Sequence, residues 1–254
     1  FQIAEYLRAA LTSRFAWAPF NGIMCISGAC AMWKKDIVVA AGGYLTNTVW
    51  EDAEMTVRVH HYMRATRRPY RIAFVPEALC LTHAPETLGE LRRQRVSWHR
   101  HITEAISNHR TMLLRPRTGL VGWFALPAYV LTEWLAPLWL LLGFGFLIAS
   151  SVMGILSVQA QLVLLAVVFA FTVFKMAMAL ILDEVSYRSY TLRDVWGLFA
   201  IGMIEQIGYR QLLSLWSLAG MLSFYLKLPI RGRRRGVMGP FEAPYRPSKR
   251  REAA

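Results

Sequence analysis

Trp50-Glu51-Asp52-Ala53-Glu54-Met55-Thr56-Val57-Arg58 opens, and Gln94-Arg95-Val96-Ser97-Trp98 closes, the stretch on which the reading of this 254-residue chain turns. Between them lie a basic helix broken at Pro69, short strands expected at Tyr70–Val75 and Ala78–Thr82 around Pro76, and a helix start at Pro85-Glu86-Thr87. The spacing predicts helices over Glu51–Thr66 and Thr87–His109.

Upstream, Phe1–Phe20 reads as an amphipathic helix with Ile3, Leu7, Ala10 and Leu11 on one face. Arg8, Arg14, Phe15 and Trp17 suit a headgroup interface, and an ordinary surface helix fits equally well. Residues 23–33 have a buried-strand pattern, and Ser27-Gly28-Ala29 at its centre lets another group approach the backbone. A short helix over Lys35–Ala41 stops at Gly42-Gly43, and Tyr44–Val49 is a polar loop.

Downstream, residues 119–182 carry only Glu133 and Lys175 as charged side chains. A bilayer crossing takes about 20 apolar residues, so this run holds two spans. Leu120–Ile148, with Pro127 and Pro137, reads as a kinked span or a span preceded by a re-entrant turn. An uncharged exported loop at Ser150–Gln161 precedes the second span, Leu162–Leu182, and Asp183–Asp194 returns to the cytoplasm. Residues 195–226 make one span or an interfacial helical hairpin, the hairpin preserving an even number of crossings.

The formal charge of +13 is concentrated at the end, where residues 227–251 hold nine Lys or Arg against Glu242 alone. A basic tail after apolar spans points to the cytoplasmic face and anionic lipid rather than nucleic acid. Cys25, Cys30 and Cys80 are odd in number and lack a metal spacing, so they read as reduced thiols.

Glu51 and Asp52 at a loop-to-helix junction have the chemistry of a general base; acids also collect there simply because the helix dipole favours them. Gln94 and Trp98, four apart, share a helical face. An indole is a platform for a sugar ring or an anchor for its own helix, and a Gln amide donates to phosphate or sugar oxygens. The Arg run around them is a solvated face or a counter-charge for an anionic leaving group. Glu133 lines a polar path or caps a bend.

In order, Ser27-Gly28-Ala29, Ala41-Gly42-Gly43-Tyr44, Glu51-Asp52-x-Glu54-Met55-Thr56-x-Arg58, Tyr70-Arg71-Ile72-x-Phe74-x-Pro76, Pro85-Glu86-Thr87-Leu88 and Gln94-x-x-x-Trp98 precede the apolar region. This order resembles the C-terminal half of membrane-embedded family 2 glycosyltransferases, such as cellulose, hyaluronan and poly-N-acetylglucosamine synthases. The motif-bearing match covers about residues 20–118. Glu133-Trp134-Leu135-Ala136-Pro137 and Gly208-Tyr209-Arg210-Gln211 look like bacterial members of the group.

The resemblance implies an α/β fold plus membrane helices: the C-terminal part of a cytoplasmic GT-A domain over residues 1–118, transmembrane or interfacial helices over 119–226, and a basic cytoplasmic tail over 227–254. It implies inverting transfer from a nucleotide sugar, expected to be a UDP-sugar, to a glycan or lipid-linked acceptor at a bacterial inner membrane, in contact with lipid and with accessory export subunits. Asp52 falls on the catalytic base and Glu51 precedes it in the Glu-Asp motif. Trp98 falls on the acceptor platform, with Ser27 and Gly28 beneath the acceptor. Gln94 and Arg95 are expected near the donor diphosphate. Ser97 stands where the family's Q-x-x-R-W motif has Arg, so one diphosphate contact is missing. No D-x-D metal motif is present; Mg2+ or Mn2+ is expected to be held by a preceding half, and the chain, starting at Phe1, reads as a C-terminal piece. A non-catalytic membrane scaffold of the same fold is the alternative, and a transporter, motivated by Glu133 and Lys175, is a weaker third.

Overall fold

The computed structural model describes residues 1–44, 51–75, 84–186 and 190–228. The expected strand at Ala78–Thr82, most of the 44–49 loop, part of the 183–194 segment and nearly all of the basic tail lie outside the described residues.

The chain is built around the helix over Glu51–Ala65. Helix α1 (Gln2–Arg8) runs through a π-helical turn, Ala9–Arg14, into a last turn at Phe15–Trp17. After an irregular stretch and a 3-10 turn at Gly28–Cys30 comes α2 (Lys35–Ala40). Gly42 and Gly43 close α2 at φ +96° and +71°, conformations that a side chain would strain. The central helix α3 (Glu51–Ala65) follows, then α4 (Leu88–Asn108). Helix α4 begins where Thr87 predicts: its Oγ1 accepts from the Glu90 N–H at 3.2 Å, and Glu90 Oε2 accepts from the Thr87 N–H at 3.3 Å.

Helix α3 is wedged between two apolar clusters. Met55, Val59 and Met63 pack on Ile23 and Ile72. On another flank, Val57 packs on Met24, Met112, Val121, Ala125 and Leu126. Residues of α3 are therefore buried on most of its circumference, polar ones included, and those must find partners inside.

The expected α/β character is not seen: among the described residues there is no strand. Residues 23–27 and 70–75 satisfy backbone groups through side chains instead of a ladder. His60 Nε2–H donates to the Ile23 carbonyl at 2.9 Å, its Nδ1 taking the Tyr70 hydroxyl at 2.6 Å. The Asn21 amide bridges both polar directions of the second segment, donating to the Tyr70 carbonyl at 3.1 Å and accepting from the Ile72 N–H at 2.8 Å. The apolar pattern thus reports burial against α3, which a strand and an irregular segment share.

Of the two readings of 120–148, one kinked span or a span preceded by a re-entrant turn, the structure has the form of the second, with two separate helical parts. Val121–Ala125, Leu126–Tyr129 and Val130–Trp134 form a helical stretch with two π-helical parts, and its Val121, Ala125 and Leu126 are buried against α3. A separate helix, α5 (Ala136–Met153), starts with Pro137 in its first turn, where a missing N–H costs nothing. Gly154, at φ +64°, ends it, and α6 (Val158–Ser186) follows, so the expected 150–161 loop shrinks to a tight turn. Both helices are long and apolar enough to cross a membrane, and most of their surface faces outward. Together they point to membrane association.

Residues 192–225 form two helices, α7 (Leu192–Ile204) and α8 (Tyr209–Tyr225), turning at Gly208. Helix α7 joins α1 and α6 in a third cluster of Ala4, Met176, Leu180 and Leu198. Helix α8 lies along α4 so closely that a Cβ on Gly220 would sit 2.3 Å from the Val96 carbonyl oxygen.

Candidate functional site

Asp52 occupies the first turn of α3 and is half-buried. Its Oδ2 accepts from the Gly28 N–H at 3.0 Å, and Oδ1 accepts from the Ala53 N–H at 2.7 Å. A Cβ on Gly28 would lie 3.0 Å from Oδ2 and 3.2 Å from the Asp52 Cβ, so a side chain there would push the carboxylate by a few tenths of an ångström. The group that Ser27-Gly28 lets in is thus the Asp52 carboxylate. These bonds set the carboxylate's direction while a second lone pair remains on each oxygen. Glu51 and Ser27 are exposed beside it.

Trp98 lies on α4, half-buried, and lines a cavity of about 540 Å3. That is room for a sugar ring or two. The cavity wall draws on α1 (Glu5, Tyr6), α4 (Arg95, Trp98), the 121–134 stretch (Tyr129) and the apolar helices (Lys175). It therefore sits where α1 and α4 meet the apolar helices.

Asp52 is not among the residues that line this cavity. Cys25 is, and Gly28, three residues on, holds Asp52. Three residues reach at most about 10 Å, so the carboxylate stands just beyond the cavity's Cys25 end. Its charge is felt there: burial first, then Asp52, pushes the Cys25 thiol up to about 11. Burial together with Glu51 and Asp52 also raises the Tyr44 hydroxyl.

Arg95 is 6% exposed, and both its Nη atoms bind the Glu5 carboxylate, one of them at 2.7 Å. Its Cζ stands 4.7 Å from the centre of the Trp98 ring. Gln94 is partly buried, and its Oε1 is buried without a protein hydrogen-bond partner. Ser97 Oγ is 3.5 Å from His101 Nδ1. The structure therefore gathers Gln94, Arg95 and Trp98 on one length of α4, and Gly28 with Asp52 at the head of α3.

Sequence reasoning passed over the network behind Asp52. Glu54, 3% exposed, accepts from Arg58 Nη2 at 2.7 Å and Nε at 2.9 Å, and from His109 Nε2 at 2.9 Å. Arg58 also donates to the Gly43 carbonyl at 2.9 Å, and His109 Nδ1 meets His61 Nδ1 at 3.2 Å. Burial works to raise the Glu54 carboxyl, but the bonds from His109 and Arg58 outweigh it and hold it below the usual carboxylate range. The i, i+4 spacing of Glu54 and Arg58 was a visible signal; the His109 partner, 55 positions away, had none. Likewise Arg8 Nη2 meets Glu205 at 2.5 Å across 197 positions, tying α1 to the α7–α8 turn.

No group of three or more His, Cys, Asp or Glu among the described residues could hold a metal ion. The divalent cation implied by the resemblance thus finds no ligand set among the described residues.

Seventy-eight residues, 31% of the chain, are 37% identical to the poly-beta-1,6-N-acetyl-D-glucosamine synthase of Staphylococcus aureus (strain COL), covering 18% of that protein. Over 104 residues, 38% of the chain, it is 30% identical to an N-acetylglucosaminyltransferase of Mesorhizobium japonicum, covering 23% of that protein. The chain thus matches under a quarter of the length of either relative. No solved structure matches. The profile described as "Glycosyl transferase family group 2" matches residues 3–182, well over half of the chain, and the chain belongs to that family of glycosyltransferases.

Proposed function

We propose that this chain carries the acceptor side of a membrane-bound polysaccharide synthase. In this reading a sugar, N-acetylglucosamine by the names of the relatives, passes from a UDP-sugar to a growing glycan or lipid-linked acceptor with inversion. The acceptor ring stacks on Trp98. Asp52 takes the proton of the attacking hydroxyl, the new bond forms at the anomeric carbon, and the bond to the diphosphate oxygen breaks with the nucleoside diphosphate as leaving group. Gln94, with its unpartnered amide oxygen, sits toward the donor. Helices α5 and α6 cross the inner membrane, with the α3–α4 region and the basic tail on the cytoplasmic side, against anionic lipid and accessory export subunits.

The observation that carries the proposal is the Asp52 carboxylate seated on the Gly28 N–H, one short segment from the cavity that Trp98 lines. A positioned base contributes about 100- to 10,000-fold, so Asp52→Asn in the native chain is expected to cut transfer by at least two orders of magnitude without loss of folded protein. Full activity of that variant removes Asp52 from the role.

Ser97 in the motif's arginine position favours a second reading, a scaffold of the same fold that binds no donor. Equilibrium binding of labelled UDP-N-acetylglucosamine separates them: the enzyme binds it and the scaffold does not.

A further inference from the structure

The cavity carries more positive charge than its own carboxylates neutralise. Five Lys or Arg side chains line it against three Glu. Two of the cations are spent: Arg95 holds Glu5 at 2.7 Å, and Arg8 holds Glu205 at 2.5 Å. That leaves Arg14, Lys175 and Arg210 to face Glu133. Arg210 reaches Glu205, already held by Arg8, only at 3.8 Å, and its Nη1 donates to the Gln206 side chain at 3.4 Å. Among the described residues no carboxylate forms an ion pair with Arg14 or Lys175. Lys175 rests against the Phe171 ring, 4.9 Å from its centre, in the combined field of Arg210, Arg8, Glu133 and Glu205.

The surroundings of these cations are two-natured. Lys175 belongs to α6, and Pro137 and Leu140 of α5 and Leu213 of α8 form apolar wall beside it. On α8, Ser214 and Ser217 follow Arg210 at i+4 and i+7 and add hydroxyls to the same wall. Cations withdrawn from bulk water without a counter-charge are unfavourable, and Arg and Lys are matched to phosphate oxygens. Basic pockets between membrane helices take lipid headgroups. An occupant with both an anionic group and an apolar body fits this wall, and an uncharged sugar supplies neither. We propose that the cavity binds a phosphate group carried on a membrane lipid, held by Lys175 and Arg210. The Gly208-Tyr209-Arg210-Gln211 run then acquires a role: it turns α7 into α8 and delivers Arg210 to the phosphate. The proposal goes beyond the transfer reading and does not rest on it, because binding is read with no donor present.

The test is native mass spectrometry of the purified native chain in neutral detergent at high salt, which screens charges in water more than charges in a cavity. The probes are decaprenyl phosphate, phosphatidylglycerol, uncharged decaprenol and inorganic phosphate. One lipid phosphate is expected to be retained per chain. Decaprenyl phosphate retained in preference assigns a lipid-linked acceptor, phosphatidylglycerol in preference a bound phospholipid, and either upholds the site. Lys175→Met and Arg210→Met are each expected to weaken retention on the order of tenfold, and Lys175→Arg, which keeps the charge, to stay within about twofold of the parent. Lys175 makes no ion pair, so Lys175→Met is expected to melt no lower than the lipid-free parent and decides the matter if Arg210→Met does not fold. Decaprenol retained as well as its phosphate, inorganic phosphate held as tightly as either lipid, no lipid retained at all, or a folded Lys175→Met with unchanged retention would each overturn the proposal.

Discussion

Helices α3 and α6 invert one another. Helix α3 is rich in polar side chains and buries them: Glu54, Thr56 and His60 are 3%, 0% and 0% exposed. Helix α6 is nearly all apolar and displays it, with Val163, Val168 and Phe171 about 60% exposed. In water the second pattern is unfavourable at about 25 cal/mol for each Å2 of apolar surface, and the first costs nothing extra only if every buried group is bonded. Each helix therefore names its surroundings. Helix α3 is enclosed by protein and bonded through Arg58, His109 and Tyr70, whereas α6 is long and apolar enough to cross a membrane.

The sharpest way to upset this contrast is Glu54→Ala. It leaves Arg58 and His109 without their shared carboxylate, and breaking a buried ion pair costs about 3–5 kcal/mol. Denaturant titration is expected to show a loss in that range, and a loss within the error of a surface substitution would mean that α3 is not enclosed as described. On the other helix, Val168→Arg is expected to cost about 3 kcal/mol of membrane insertion, as a cation at mid-span does. If insertion reporters place the variant like the parent, α6 does not face lipid.

Acid separates the helices further. Burial lowers His60 from 6.5 to about 4. The unfolded chain therefore binds a proton that the fold refuses. Stability is whole above pH 6.5 and drains away as pH falls toward 4, with about 2 kcal/mol gone by pH 5. Glu54, held below its ordinary range, works in the same direction at still lower pH. Thermal melts between pH 7.5 and 5 should show the decline, and a melting temperature that rises toward pH 5 contradicts the buried neutral imidazole. The smallest expected effect is at the helix pair: Gly220→Ala forces α8 off the Val96 carbonyl for about 1 kcal/mol or more, and it should disturb acceptor use more than donor use, because Trp98 is two residues away.

Much of this was legible beforehand, where the cause is local. The acids of the first α3 turn, the Pro85-Glu86-Thr87 helix start, the Gly42-Gly43 stop and the apolar runs of α5 and α6 each act within a few residues. Less legible was the boundary inside the apolar stretch. Residues 121–134 are as apolar as a span, and only their packing on Met24, Val57 and Met112 assigns them to the core. The strands expected within 23–33 and over 70–75 are not formed for a related reason, since a buried apolar segment becomes a strand only when a neighbour offers a ladder, and His60 and Asn21 took that place.

At the site, the sequence alone determined that a carboxylate would head one helix and an indole would ride on another, because helix starts and i, i+4 faces follow from neighbouring residues. Which groups meet was decided by tertiary structure: Asp52 with Gly28, Glu54 with His109, Arg95 with Glu5, Arg8 with Glu205. Hydrogen bonds and ion pairs act over about 3 Å, and only the packed chain brings residues dozens to hundreds of positions apart within that reach.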